Sequence, residues 1–446
     1  MSERVLVYGL AVAGQAMVKA LIHRGIDVVA VDDRESSELR QFGSSLGLDI
    51  EFAPSAARLE ELVRNSGTIA PAPGVPESHA VIEFARSLDR RVVTELDLAY
   101  EWEADRPGGP RPIIAVTGTD GKTTTTLLVA AMLQASGRRT VACGNTEVPM
   151  VAALDLDVDS FVVEATSFRL AFCTTFRAEA SAWLNLAPDH LDWHTSLATY
   201  ESAKARIWSA VRATDTAIGW VGDPVVMRHL GRAACRRVTF GRERADYSVV
   251  DATLHGPRGP IAPVSSMSRS LPHDVTNALC ASALVLESGL GEMHGVVNAL
   301  RSFAAPHHRI EFVAEADGIR WFDDSKATTP NAVKTALRGF EDVVLIAGGR
   351  NKGLDLGEIA TEAPRLRAVV AIGDASDEVV AAFSGVRPVQ RATSMSEAVS
   401  IARSLAGTGD TVLLSPGCTS FDWYDGYARR GDDFARCVRE LIGASS

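Results

Sequence analysis

Short apolar runs, each emptying into a glycine-rich or polar loop and followed by a stretch of helical period, recur along the whole chain. The first set is "RVLVYGL", a strand, "AGQAMVKALIHRG", a helix ending at Gly25, and "DVVAVDD", a second strand; together they predict a βαβ unit. "GTIAPAPGVP" ends another strand in a Pro/Gly turn. "EADRPGGPRP" has the composition of a linker and puts a first boundary near residue 110.

A second set opens with the strand "PIIAVTG" and a helix after "GKTTTT", then adds the strands "RTVACGN", "SFVVEAT" and "EASAWLNL". These runs are apolar throughout, the pattern of a parallel sheet covered on both faces. "HDVTNALCASALVLESG" predicts a helix with an alanine-rich face. The third set holds the strands "IRWFDDS", "DVVLIAGG", "AVVAIGD" and "DTVLLSPG". The expectation is an α/β protein of three domains, 1–108, 109–303 and 304–446, with no internal repeat or coiled coil. A chain of 446 residues is too long for a single core.

Composition narrows the function classes. A net charge of −11 argues against a standing role on nucleic acid or anionic membrane, so neither partner is expected. Six cysteines without a C-x-x-C pair predict reduced thiols, not a disulfide frame or a zinc site. Lys19 and His23 interrupt the apolar N-terminus, so neither a signal peptide nor a membrane span is expected and the predicted location is cytoplasmic.

Ligands of open α/β sheets collect beyond the carboxyl ends of strands, and the polar clusters fall there. "GTDGKT" follows a strand and opens a helix, the geometry that aims backbone N–H groups at a phosphate. Gly118, Thr119, Asp120, Gly121 and Thr124 would form the cradle; Lys122 would meet the β/γ phosphates and Thr123 would offer a hydroxyl to Mg²⁺. The usual phosphate loop has a glycine where Val116 stands, so the spacing is shorter than in generic ATPases. Glu164 ends a buried strand, where a carboxylate must be paired, hold a metal, or cap the next segment. Asp189, His190, Asp192 and His194 crowd one loop in a spacing that matches no usual zinc set. Lys204, on the helix that follows, is by residue type alone a solvated charge.

Near the N-terminus, Gly9, Ala11 and Gly14 approximate a dinucleotide fingerprint, but the Ala11 methyl stands where a pyrophosphate would approach. Asp32 and Asp33 end the second strand, at the place of a ribose-binding acid. In the third set, Asp324, Lys326 and Thr328, then Arg350 and Lys352, then Ser420 and Phe421, supply cations and hydroxyls suited to carboxylates or phosphates.

With these residues laid out, the chain resembles the Mur ligase family over nearly its whole length. The resemblance runs through "GTDGKTTTT", "EATSF", "LNLAPDHLDWH", "YESAKARI", "HDVTNA", "APHHRIEF", "DDSKATTPNA", "GGRNKG" and "LLSPGCTSFDWYDGYARRGDDF", in that order. The short glycine spacing matches that family's phosphate loop, and "DHLDWH", "DDSKATTPNA" and "SPGCTSFDWY" point to its D-glutamate-adding branch. The resemblance implies an N-terminal Rossmann-like domain for a UDP-linked precursor, a central P-loop ATPase-like domain with a parallel or mixed sheet, and a C-terminal Rossmann-like domain for the amino acid. It implies an ATP- and Mg²⁺-dependent ligase, with two ions, that joins D-glutamate to UDP-N-acetylmuramoyl-L-alanine through an acyl phosphate. A monomer is expected.

Residue by residue, the resemblance assigns the metal ions to Thr123, Glu164, His190 and a carbamylated Lys204, with His190 alternatively orienting the amine. It places Asn277 at adenine, Arg309 and Asp324 at the ribose and phosphates, and His308 and Lys326 in the same pocket. Thr328, Lys352 and Ser420 would grip the D-glutamate carboxylates, with Phe421 nearby. Val12, Asp32, Arg34, Gly74 and Asn145 would handle the UDP precursor. Ala13, Ala165, Arg169 and Asp274 depart from the family pattern without removing a residue the chemistry needs. An NAD-dependent oxidoreductase and a P-loop regulatory ATPase are the rival readings.

Overall fold

The computed structural model describes residues 4–444 apart from residue 192. The chain divides into two compact units, Met1–Ser268 with Val275–Phe303, and Arg269–Asp274 with Ala304–Ser446.

The first unit contains two parallel sheets. One has five strands in the order Ile50–Phe52, Val28–Asp32, Val5–Tyr8, Thr68–Pro71 and Arg91–Val92. Its central strand, "VLVY", is buried at every position, as a strand covered by helices on both faces must be. The helix Val12–His23 returns across the sheet with Met17, Val18 and Leu21 inward. The other sheet has six strands in the order Arg236–Phe240, Thr216–Trp220, Ala180–Trp183, Ile113–Thr117, Ser160–Glu164 and Thr140–Gly144. A small antiparallel sheet, Ser248–Val250, Thr253–Gly256 and Gly259–Pro263, accompanies it and is absent from the sequence reading.

The segment that reads as a linker is anchored. Arg111 is buried, pairs with Glu103 at 2.7 Å and donates to the carbonyls of Leu154 and Leu156. Asp97, on the helix Glu95–Ala104, accepts from the backbone N–H groups of Thr174, Thr175 and Phe176 at 2.8–3.0 Å. Buried carboxylates that end on backbone amides are satisfied without a counter-charge, and this one ties the two sheets into one unit.

The second unit has one mixed sheet in the order Glu311–Ala316, Ile319–Asp323, Thr411–Gly417, Val343–Gly348, Leu366–Ile372 and Val389–Arg391. All pairings are parallel except that of the edge strand Glu311–Ala316, which runs antiparallel to Ile319–Asp323. Among the described residues no helix is long and apolar enough to cross a membrane.

Candidate active site

Each polar cluster read from the sequence sits at the carboxyl ends of three adjacent parallel strands. In the six-stranded parallel sheet these are Ile113–Thr117, Ser160–Glu164 and Ala180–Trp183. The candidate phosphate loop leaves the first and enters the helix Lys122–Ala135. Gly121 has φ +84°, and a Cβ there would lie 2.8 Å from the Asn277 side-chain oxygen, so the position requires glycine. Asn185 holds the loop from the neighbouring strand end, its Oδ1 accepting from the N–H groups of Thr119 and Asp120 at 2.9 Å. The Thr119 hydroxyl meets Tyr200 at 3.0 Å and accepts from the Ala187 N–H at 2.9 Å. Sequence reasoning missed Asn185 and Tyr200, although Asn185 lies within the quoted "LNLAPDHLDWH".

Lys122 folds back, its Nζ donating to the carbonyls of Gly118 at 2.9 Å and Thr119 at 2.7 Å. Lys204 reaches the same Gly118 oxygen at 2.6 Å and is only 1% exposed. Burial, reinforced by the like charge of Lys122, holds its amine well below the usual lysine range. The surface-charge reading of Lys204 is therefore wrong. Thr123 and Thr124 open the helix, half-buried and buried.

Glu164 is 1% exposed. Its Oε1 accepts from the Asn145 amide at 3.1 Å, and its Oε2 has no hydrogen-bond partner among the described residues. It does not cap the following helix, Ser167–Leu170, because Thr166 does. A buried carboxylate oxygen left open is costly, and a hard cation is the partner it suits, so the residues present fit a magnesium ion. Asn145 is fixed from its other end: Arg169, buried and paired with Glu95 at 2.6 Å, donates to its Oδ1 at 2.8 Å. His190 takes φ +56°, lies 3.1 Å from Asp189 and packs edge-on to Phe168. His194 is buried 3.4 Å from Glu77, and Asp192 lies outside the described residues.

In the five-stranded sheet, Val12, Asp32, Arg34 and Gly74 follow three neighbouring strands, Val5–Tyr8, Val28–Asp32 and Thr68–Pro71. Asp32 accepts from the backbone N–H groups of Leu10 at 2.6 Å and Arg34 at 2.8 Å, so it shapes the rim on both sides. Val12 is 70% exposed beside it, and Arg34 and Gly74 are exposed too.

In the second unit the three strands are Ile319–Asp323, Thr411–Gly417 and Val343–Gly348. Asp324 is buried, accepts from the Ser415 hydroxyl at 2.7 Å, and burial pushes its carboxyl up to about 7. His308 is raised by the 2.6 Å hydrogen bond between its Nδ1 and Asp323. Arg309 is half-buried beside it in sequence. Lys326 lies over the Tyr427 ring at 3.7 Å, and Thr328 follows it in the same loop. Lys352 is half-buried in the glycine loop, Ser420 is buried, and Phe421 is 60% exposed. Asp274, a departure from the family pattern, forms an ion pair with Arg269 at 2.7 Å.

The Mur ligase middle-domain family matches residues 116–285, and the Mur ligase glutamate ligase domain matches residues 308–418. A UDP-N-acetylmuramoylalanine–D-glutamate ligase of Frankia casuarinae is 40% identical over 98% of this chain and 94% of its own. A ligase of the same name from Desulfosudis oleivorans is 35% identical over 99% and 97%. This chain belongs to the Mur ligase family. Among solved Mur ligases, the UDP-N-acetylmuramate–alanine ligase of Thermotoga maritima aligns over 100% of both chains with a TM-score of 0.59 at 19% identity. The MurF ligase of the same organism covers 100% of this chain and 96% of its own with a TM-score of 0.61 at 14% identity. Those two likenesses concern the Mur ligase fold.

Proposed function

We propose that this Mur ligase uses ATP to join D-glutamate to UDP-N-acetylmuramoyl-L-alanine, a step of peptidoglycan synthesis. The observation that carries the reading is 40% identity, over 98% of the chain, to a ligase named for that reaction. The buried lysine and the open glutamate oxygen beside the phosphate loop agree with it.

ATP transfers its γ-phosphoryl group to the alanine carboxylate of the precursor, giving an acyl phosphate and ADP. The D-glutamate nitrogen then attacks the carbonyl carbon, loses a proton, and phosphate leaves as the amide forms. The protein supplies alignment and charge neutralisation, not a nucleophile. Backbone N–H groups of residues 121–124 at the helix start hold the phosphates, because those of Thr119 and Asp120, expected in the cradle, are taken by Asn185, and Lys122 exchanges its loop carbonyls for the phosphates. Thr123, Glu164, His190 and a carbamylated Lys204 would hold two magnesium ions, which would supply Lewis-acid charge neutralisation for phosphoryl transfer. Asn277 serves the adenine, and Arg309 and Asp324, supported by His308 and Lys326, the ribose and phosphates. Thr328, Lys352, Ser420 and Phe421 receive D-glutamate, and Val12, Asp32, Arg34, Gly74 and Asn145 the UDP precursor. The working division is three domains, 1–108, 109–303 and 304–446, and the enzyme acts as a monomer.

The test is phosphate release from ATP across a panel of amino acids, with the UDP precursor present and absent. Turnover should require both the precursor and D-glutamate. Release that ignores either would reject the reading in favour of a regulatory ATPase.

A further inference from the structure

Arg430 has no place in the chemistry above, yet it is 1% exposed, in the first turns of the helix Tyr427–Ala444. Its Nε donates to the Ser325 hydroxyl at 2.9 Å, and its Nη2 to the carbonyls of Ser325 at 2.9 Å and Cys418 at 3.1 Å. Its Nη1 donates to the Thr419 carbonyl at 3.2 Å. The third loop closes on the same group: Gly349 has φ +128°, and a Cβ there would lie 3.0 Å from Nη1. Thr419 and Arg350 are also joined by two backbone hydrogen bonds, at 2.9 and 3.0 Å. One guanidinium thus hydrogen-bonds the loops after Ile319–Asp323 and Thr411–Gly417, which carry Thr328 and Ser420, and lies close to Gly349 of the loop after Val343–Gly348, which carries Lys352 and is tied to Thr419 through Arg350.

We propose that Arg430 is the positioning residue that sets these three loops in register for the amino-acid substrate. The inference rests on the reading that the loops receive D-glutamate. A planar fork with five donors is the group that serves several segments at once; a lysine would bring the charge without the fork. The four bonds all end on neutral oxygens, and the Asp422 and Asp323 carboxylates act on the charge without bonding it. Burial brings the guanidinium down to about 10, which leaves it charged at neutral pH. A cation beneath loops that bind a dicarboxylate also favours the anion electrostatically.

The nucleotide side has anchors of its own. Asp324 is tied to the Leu414 carbonyl and the Ser415 hydroxyl, and the Lys326 N–H to the His308 carbonyl at 3.1 Å. Disturbing Arg430 should therefore affect D-glutamate and spare ATP.

The experiment compares KM for D-glutamate, KM for ATP and kcat in the full-length enzyme, R430K and S325A. R430K is expected to raise KM for D-glutamate about ten-fold while KM for ATP stays within about two-fold. S325A, which removes the acceptor of Nε, should shift the same constant about three-fold. An unaltered D-glutamate KM in folded R430K, or an equal rise for ATP, overturns the inference. If R430K does not fold, S325A decides by the same criterion. Wild-type turnover that ignores D-glutamate would instead sink the functional reading.

Discussion

On the surface of a helix a lysine is an ordinary solvated charge, and residue type alone makes Lys204 one. Packing reverses this, because Lys204 lies inside with its Nζ on the Gly118 carbonyl, beside a second lysine that shares the acceptor. Both circumstances disfavour the ammonium, and a neutral amine is the form that adds CO₂. Lys204→Ala is expected to lower kcat roughly 100-fold. Acetate or bicarbonate should restore part of it, and a ¹³C carbamate signal seen in the labelled wild type should vanish. Unchanged kinetics would remove the carbamate from the scheme. Glu164 was legible as a buried strand end, but its role was not, because an N-cap and a metal ligand look alike until Thr166 is seen to cap the next helix.

Continuously apolar strands announce themselves, and the central strands of all three large sheets do so because helices cover both of their faces. Among the strands that escaped, Ser248–Val250, Thr253–Gly256 and the antiparallel edge Glu311–Ala316 are half-polar. Their identity depends on the partner strand more than on their own residues. The same dependence appears in the buried pair Arg169–Glu95, which joins the helices Ser167–Leu170 and Glu95–Ala104 and orients Asn145 toward Glu164. Arg169→Met should destabilise the first unit by about 3–5 kcal/mol, because it strands a buried carboxylate. Adding Glu95→Gln should recover part of the loss in urea unfolding. A single variant as stable as the wild type would contradict this account.

Two compact units within one chain imply two cooperative transitions in calorimetry. Part of the pH response belongs to the second unit. Asp324, pushed up to about 7, and His308, also raised, both bind protons more tightly folded than unfolded. Their contribution is present at low pH and is lost as pH rises through the folded values. Between about pH 5 and pH 8 one transition should move down in temperature, and Asp324→Asn should flatten part of that descent without touching the other. A single transition, or an unaltered slope in the variant, would go against this picture.

By itself the sequence determined the three α/β blocks, the phosphate loop and its family, because apolar periodicity and glycine placement act over a few neighbouring residues. Only tertiary structure decided which carboxylate oxygen stays open, which lysine is buried and which arginine bonds two loops far apart in sequence. Those properties come from residues far apart along the chain, as with Arg430 and Ser325, whose meeting no local pattern encodes. Burial and hydrogen-bond satisfaction belong to the packed assembly of segments, so they exist only once the chain has folded.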